Sequence, residues 1–448
     1  MEPSDTPLGE DVRLIEPIAR TGRPFWIFAA VMVALWAWGM FAWSTQLRSG
    51  LSVTGLNVPV YWGLYITNFV FFIGISHAGT LISAILRLSR AEWRRSITRA
   101  AEVITVLVLF FGVGCVILDL GRPDRALNII LHGNVSSPLL WAVASITVYL
   151  TASTIYLYLP LIPDIAILRD HLPKRRWLYR ILALGWTGSE RQVRLLDRAI
   201  AIMAVACIPI AVSVHTVVSW VFAMTVQPMW HSTIFGPYFV VGAIFSGIGA
   251  IIIAMAIIRR AYHLEDYFKV IHFNYLGLLL LVMALLWFYF TFAEFLTTFY
   301  GAEPAHMTIF LSKVEGPFAP YFWTMVVCCF VIPLALLGNH RTRHSIWGPL
   351  VASISVEIGM WLERFLIVVP SLSHPRLPMT AADYLPSWVE WSMLVGFVAM
   401  FVLLYGIFTK LFPIVSIWEI REGRERSVAE VAERVATYLP GSEVEGHA

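Results

Sequence analysis

Ten stretches of this chain are each apolar for about 20 residues or more, and no other feature limits its fold so strongly. They run over 24–45, 61–87, 98–121, 135–160, 197–222, 235–259, 268–299, 318–338, 345–369 and 388–412. A helix rises about 1.5 Å per residue, so each can cross roughly 30 Å of hydrocarbon. In lipid the backbone must satisfy its own hydrogen bonds, which leaves helices as the means for apolar runs of this length. The expectation is an all-α membrane protein with about ten transmembrane helices. A composition of 58% hydrophobic and 14% charged residues excludes an ordinary soluble enzyme. Trp43, Tyr61, Trp62, Trp141, Trp220, Tyr238 and Trp388 lie near segment ends, where amphipathic rings suit the membrane interface. The seventh segment is long enough to tilt or to emerge from the bilayer.

The basic residues then orient the chain. Counting alternate connections from the N-terminus, 26 of the 32 Lys and Arg residues fall on one side. The other side holds Arg48, Arg122, Arg125, Lys313, Arg364 and Arg376. That asymmetry places both termini in the cytoplasm. Met1 to Asp11 is polar and acidic, without the basic start of a signal peptide, so the first apolar segment is expected to stay as an anchor. The organisation reads as a cytoplasmic N-terminal segment (1–23), a membrane domain (24–412) and a cytoplasmic C-terminal tail (413–448). Pro160, Pro163 and Pro173 are expected to break the chain into a basic loop over 161–196, and Glu425 to Tyr438 reads as a short amphipathic helix. A faint repeat suggests two four-helix bundles, helices 2–5 and 6–9, flanked by helices 1 and 10. Nucleic acid is not expected as a partner, because the basic residues are accounted for by topology.

The chemistry gathers where the third segment ends. Ile104 to Leu118 runs into Asp119-Leu120-Gly121-Arg122-Pro123-Asp124-Arg125, with His132 beyond. Gly121 and Pro123 stop the helix. Ionisable groups at such a depth are costly unless paired or used. They read as a functional cluster on the outer face; the plainer alternative is a helix cap with a surface ion pair. His77 lies mid-segment in Gly74-Ile75-Ser76-His77-Ala78-Gly79-Thr80. A lone intramembrane His is a structural hydrogen-bonder, a haem ligand, or a contact for a proton or quinone. His215 is read as lying nearer the outer face, a poor match for a second axial ligand. Cys115, Cys207, Cys328 and Cys329 form no CxxC or iron–sulfur spacing, so neither haem nor a cluster is expected on this chain, and no metal site. In the ninth segment Glu357 and Arg364 are seven apart on one helical face, about 10 Å along it, with Glu363 directed elsewhere. They read either as a structural interhelical ion pair or as a proton station and a quinone contact. Glu294 adds a carboxyl near the outer face, in a proposed proton path with Glu357. The outer loops bring His231 and His306 to the same side. A quinol head needs hydrogen bonds at two opposed oxygens and acceptors for two protons, and His with Asp, oriented by Arg, meets that need.

At these residues the chain resembles the NrfD/PsrC-type membrane subunits, and among them the ActC subunits of bacterial alternative complex III. The likeness rests on Gly-Ile-Ser-His77-Ala-Gly-Thr80-Leu-Ile-Ser83, Trp93-Arg-Arg95, Arg99-Ala-Ala-Glu102, Gly121-Arg122-Pro123 and Gly359-Met360-Trp361-Leu-Glu363-Arg364-Phe365. It spans roughly residues 60 to 400. Such relatives often carry His where this chain has Asp119. The resemblance implies ten helices in two bundles, no cofactor of the chain's own, and a quinol site near the outer face. It places Asp119 and Arg122 in the motif lining that site, with His77 and Arg364 at motif positions near it; Asp124 and His132 join by closeness in sequence. It further implies menaquinol or ubiquinol as substrate, an iron–sulfur subunit on the periplasmic side, multihaem cytochrome c subunits and a second NrfD-like membrane subunit. Quinol would be oxidised there, with protons released outward, in a bacterial inner membrane. Two other readings remain open from the residues: a proton-translocating module without quinone chemistry, and a quinone-reducing anchor of a polysulfide- or nitrite-type reductase.

Overall fold

A computed structural model describes residues 12–425. Ten long helices follow one another: α1 Arg23–Ser49, α2 Leu64–Leu88, α3 Thr98–Asp119, α4 Pro138–His171, α5 Glu190–Ala223, α6 Phe235–Ala261, α7 Val270–Gly301, α8 Ala319–Gly338, α9 Trp347–Ser373 and α10 Trp388–Leu411. Among the described residues, nine helices are long and apolar enough to cross a membrane. The other is α9, whose 27 residues span about 40 Å but carry Glu357, Glu363 and Arg364 within them. It can hold those charges because it is central, packed against α2, α6 and α8.

Neighbouring helices close two rings. α2 packs on α3, α3 on α4, α4 on α5 and α5 back on α2; α6, α7, α8 and α9 repeat the pattern. α6 joins the rings by packing on α2 and α5 as well. α1 and α10 pair with each other, and α10 lies against α3. The two expected bundles with flanking helices are therefore the observed architecture, and the protein is a polytopic all-α membrane protein. Most of α1 faces away from the bundles, with Trp26, Ile27, Val31, Trp38 and Phe41 exposed for lipid.

α2 is interrupted at Ser76 by a side chain from α3. The Thr105 hydroxyl donates to the Ser76 carbonyl (2.5 Å) and accepts from the Gly79 amide (2.9 Å), taking the place of a helical bond. Gly79 is needed there, because a Cβ would collide with the Ala101 carbonyl and Thr105. Tyr149 of α4 donates a second bond to Ser76 (2.9 Å), so the opened turn keeps its polar groups satisfied. His77 is the first residue after the break.

The arginine-rich face is held by an ionic clasp. Arg99 pairs with Asp164, which also accepts from the backbone amides of Ile417 (3.2 Å) and Trp418 (2.9 Å). Arg87 and Arg94 both pair with the buried Glu419. Burial alone would push the Glu419 carboxyl up; the two guanidiniums outweigh it and hold the group below its ordinary range. The chain past Pro413 thus stays packed, with Ile414, Val415 and Ile417 buried.

Two local expectations need correction. Pro160 and Pro163 do not end α4, which continues to His171. The helix runs on through both prolines, and the Pro160 carbonyl accepts from Arg99 (2.8 Å) and from the Trp418 indole (2.8 Å). The loop expected over 161–196 is mostly helix in consequence. The amphipathic helix expected over Glu425 to Tyr438 lies outside the described residues.

Candidate functional site

The polar residues singled out in the sequence separate into three places. The first lies where α3 ends, beneath the face opposite the arginine-rich one. Asp119 is the last residue of α3 and turns inward, and its Oδ1 is buried without a hydrogen-bond donor. Around it, Tyr65 of α2 donates to the Gln46 side chain of α1 (2.6 Å), and Gln46 donates to the Leu118 carbonyl (2.8 Å). Glu390, at the start of α10, is fully buried and lies within electrostatic reach of Asp119. Its Oε1 accepts from Tyr384 (2.5 Å), and its Oε2 accepts from the amides of Gly55 (2.7 Å) and Ser387 (2.8 Å). Glu390 therefore has its donors, whereas the buried Asp119 oxygen has none. Such an oxygen is an acceptor awaiting a ligand's hydroxyl or a water.

Arg122 does not orient Asp119. Gly121 takes a positive φ of 64°, which turns the chain outward, and Arg122 forks onto Asp124 instead, at 3.0 and 3.1 Å. Both side chains are exposed, and the guanidinium holds the Asp124 carboxyl below its usual range. His132 is exposed too, on a surface that also presents Leu127, Ile130, Leu131 and Val135.

The second place is the seam between the bundles. Tyr65 stands beside Asp119, and His77 comes twelve residues later, about 18 Å further along α2. The His77 Nε2–H donates to the Ala211 carbonyl of α5 (2.7 Å). The expected mismatch in depth with His215 is not found: the two rings meet edge to face with centroids 3.9 Å apart. α2 and α5 begin and end at different heights, so counting from helix ends misplaced them. Rings this close leave no room for an iron and a porphyrin between them. Both ring nitrogens of His215 are buried without a partner. Arg364 reaches the same seam from α9, its guanidinium against Gly242 of α6 and over the Phe239 ring at 5.2 Å. Glu357 shares that face of α9, two turns away, against Gly249, with both oxygens buried and unpartnered.

The third place is a cavity inside the α6–α9 bundle. Glu363 points into it and is nearly fully buried, and its Oε1 accepts from the Trp287 indole (2.7 Å) while Oε2 pairs with Arg364 (2.6 Å). Glu363, expected to point away from the Glu357–Arg364 face, is thus part of the buried chemistry and pairs with Arg364. Glu294 and Lys313 line the same cavity. Sequence reasoning did not single out Gln46, Tyr65, Glu390 or Lys313 as site residues, and it set His215 aside on depth; the only advance signal for the first four was a polar or ionisable residue in or beside an apolar segment.

Fold and site together define a helical membrane protein with buried proton-accepting groups at the seam and beneath one face. Residues 52–375 match the family model described as polysulphide reductase, NrfD. The chain belongs to the NrfD family. It is 24% identical over 394 residues to a putative dimethyl sulfoxide reductase membrane subunit of Halobacterium salinarum, an alignment spanning 83% of this chain and 87% of that protein. It is 23% identical over 394 residues to a selenate reductase subunit of Mesobacillus selenatarsenatis, spanning 84% and 91% respectively. The Hdr-like menaquinol oxidoreductase integral membrane subunit of Archaeoglobus fulgidus is 23% identical over 427 residues, spanning 91% of this chain and 96% of that protein.

Proposed function

We propose that this chain is the quinone-reactive membrane subunit of an oxidoreductase complex, and that it oxidises quinol as the ActC subunit of an alternative complex III does. The observation that carries the reading is the buried, donorless Oδ1 of Asp119 beside the Tyr65–Gln46 and Glu390–Tyr384 pairs. A quinol hydroxyl supplies the missing donor, and Asp119 accepts its proton as general base. Loss of two electrons and two protons turns quinol to quinone; the electrons pass to an iron–sulfur partner and the protons leave on the Asp119 side. The exposed Arg122–Asp124 pair and the apolar residues from Leu127 to Val135 form the docking surface for that partner. Multihaem cytochrome c subunits and a second NrfD-like membrane protein make up the rest of the assembly. The arginine-rich face is cytoplasmic, with both termini there, and the membrane is a bacterial inner membrane. The relative named as a menaquinol oxidoreductase subunit supports menaquinol as the substrate. The relatives named as reductase subunits support a quinone-linked site whose electron direction the partners set.

A second reading, proton translocation without quinone chemistry, is favoured by the seam residues His77, His215, Arg364 and Glu357, which lie deeper than Asp119. Titration of the purified chain with a fluorescent quinone analogue separates the two. Saturable binding, weakened in Asp119→Asn, supports the quinone site; no saturable binding leaves the second reading.

A further inference from the structure

The cavity in the α6–α9 bundle has a volume of about 40 Å³. That is too small for a quinone head, but at 10–15 Å³ per water it takes about three waters. Its polar walls are Tyr238 of α6, Thr291 and Glu294 of α7, Lys313, and Glu363 of α9. Lys313 belongs to the short helix Pro304–Val314, which folds over the bundle between α7 and α8 and packs on α7, α8 and α9. It is one of four lysines in the chain and is 6% exposed.

A buried lysine is ordinarily explained as one half of an ion pair. That account does not hold here, because no ion pair within 4 Å joins Lys313 to Glu294 or Glu363. Glu363 is already engaged by Trp287 and Arg364. An ammonium placed between two carboxylates, in contact with neither, needs water to satisfy its donors. The groups facing it are Glu294 from α7, Glu363 from α9 and the Tyr238 hydroxyl from α6, with Arg364 paired to Glu363 outside the cavity wall; α8 contributes no charged residue. On its own helix and at that helix's start, His306 and Glu303 stand nearer the surface, 3.9 Å apart.

We propose that this cavity is a water-filled proton-exchange site in which Lys313 takes a proton from the Glu363 side and passes it, through Glu294, to the solution at the face opposite the arginine-rich one. Each step moves one proton: a neutral amine gains it from a carboxyl group or water, and the ammonium then gives it up to the next carboxylate. Burial lowers the Lys313 proton affinity, with Glu294 and Glu363 pulling it back, to about 8. A group in that range can change its protonation state near neutral pH, as such a step requires. The site rests on the proposed quinone chemistry only for the source of the proton.

The first test does not depend on turnover. The full-length chain in detergent is labelled with acetic anhydride across a pH series, and Lys313 is compared with the exposed Lys174 by mass spectrometry. A Lys313 midpoint near 8, well below that of Lys174, is expected; an ordinary midpoint, or no labelling up to pH 10, overturns the proposal. The second test uses the assembled complex in liposomes with menaquinol as donor and an uncoupler present. Lys313→Arg keeps the charge but does not release its proton, so turnover should fall about 10²-fold, the low end of the acid–base range. The variant should also lose any change in rate around pH 8. Wild-type rate and pH profile in assembled Lys313→Arg complex also overturn the proposal. Absence of quinol turnover in the wild-type complex counts against the quinone reading alone, and the labelling then decides the cavity by itself.

Discussion

Replacing Arg99 with Met should be among the most damaging single changes in this protein. Arg99 and Asp164 are 1% and 0% exposed, so the ion pair is fully withdrawn from solvent. Removing the guanidinium leaves the carboxylate with three neutral donors, from Ser416, Ile417 and Trp418. It also strips the Pro160 carbonyl of one of its two partners. Stranding one member of a buried pair typically costs about 3–5 kcal/mol. Asp164→Leu alone should cost a similar amount, since it strands the cation and two backbone amides. The double variant should cost clearly less than the sum, because it removes both charges together; a coupling of about 2–3 kcal/mol is expected. The assay is unfolding of the detergent-solubilised chain in increasing dodecyl sulfate, followed by tryptophan fluorescence. Additive single and double variants, or an Arg99→Met cost below about 1 kcal/mol, would refute the claim that this pair locks the segment after Pro413 onto the bundle.

Two further outcomes follow from the same geometry. Thr105→Val removes the hydroxyl that bridges the opened turn of α2, leaving the Gly79 amide without its acceptor, and should cost about 1–3 kcal/mol in the same unfolding assay. Glu419 is held below its ordinary proton affinity, so the stabilisation it gives is complete above the unfolded-state value and is lost as pH falls through the lowered native value. The protection of amides across residues 413–420, taken relative to their intrinsic exchange rate at each pH, should therefore be high at neutral pH and fall on acidification, and Glu419→Gln should be poorly protected already at pH 7.

The helices and their grouping were legible because apolar length and the distribution of arginine act over whole segments. Side-chain partners were less legible, because they depend on where helices stop and how they are offset. Asp119 and Arg122 are three apart, yet the positive φ at Gly121 sends one inward and the other to the surface. His77 and His215 are separated by more than a hundred residues and meet only because α2 and α5 are offset along their axes. Pro160 and Pro163 read as breakers, but the helix continues to His171, with an arginine and a tryptophan side chain from distant parts of the chain docked on the Pro160 carbonyl. Glu390 and Lys313 gave only the weak sign of an ionisable residue in or beside an apolar segment; their importance comes from burial beside groups distant in sequence.

The most direct test of the central claim is quinol-dependent electron transfer by assembled complexes carrying Asp119→Asn or Arg122→Lys. Asp119→Asn keeps the shape but removes the base, and turnover should fall by about 10²–10⁴. Arg122→Lys should stay close to wild type, since Arg122 is exposed at the surface and forks onto Asp124 rather than onto Asp119. Wild-type turnover in fully assembled Asp119→Asn complex would contradict the account and move the site from the end of α3 to the seam at His77, His215 and Arg364.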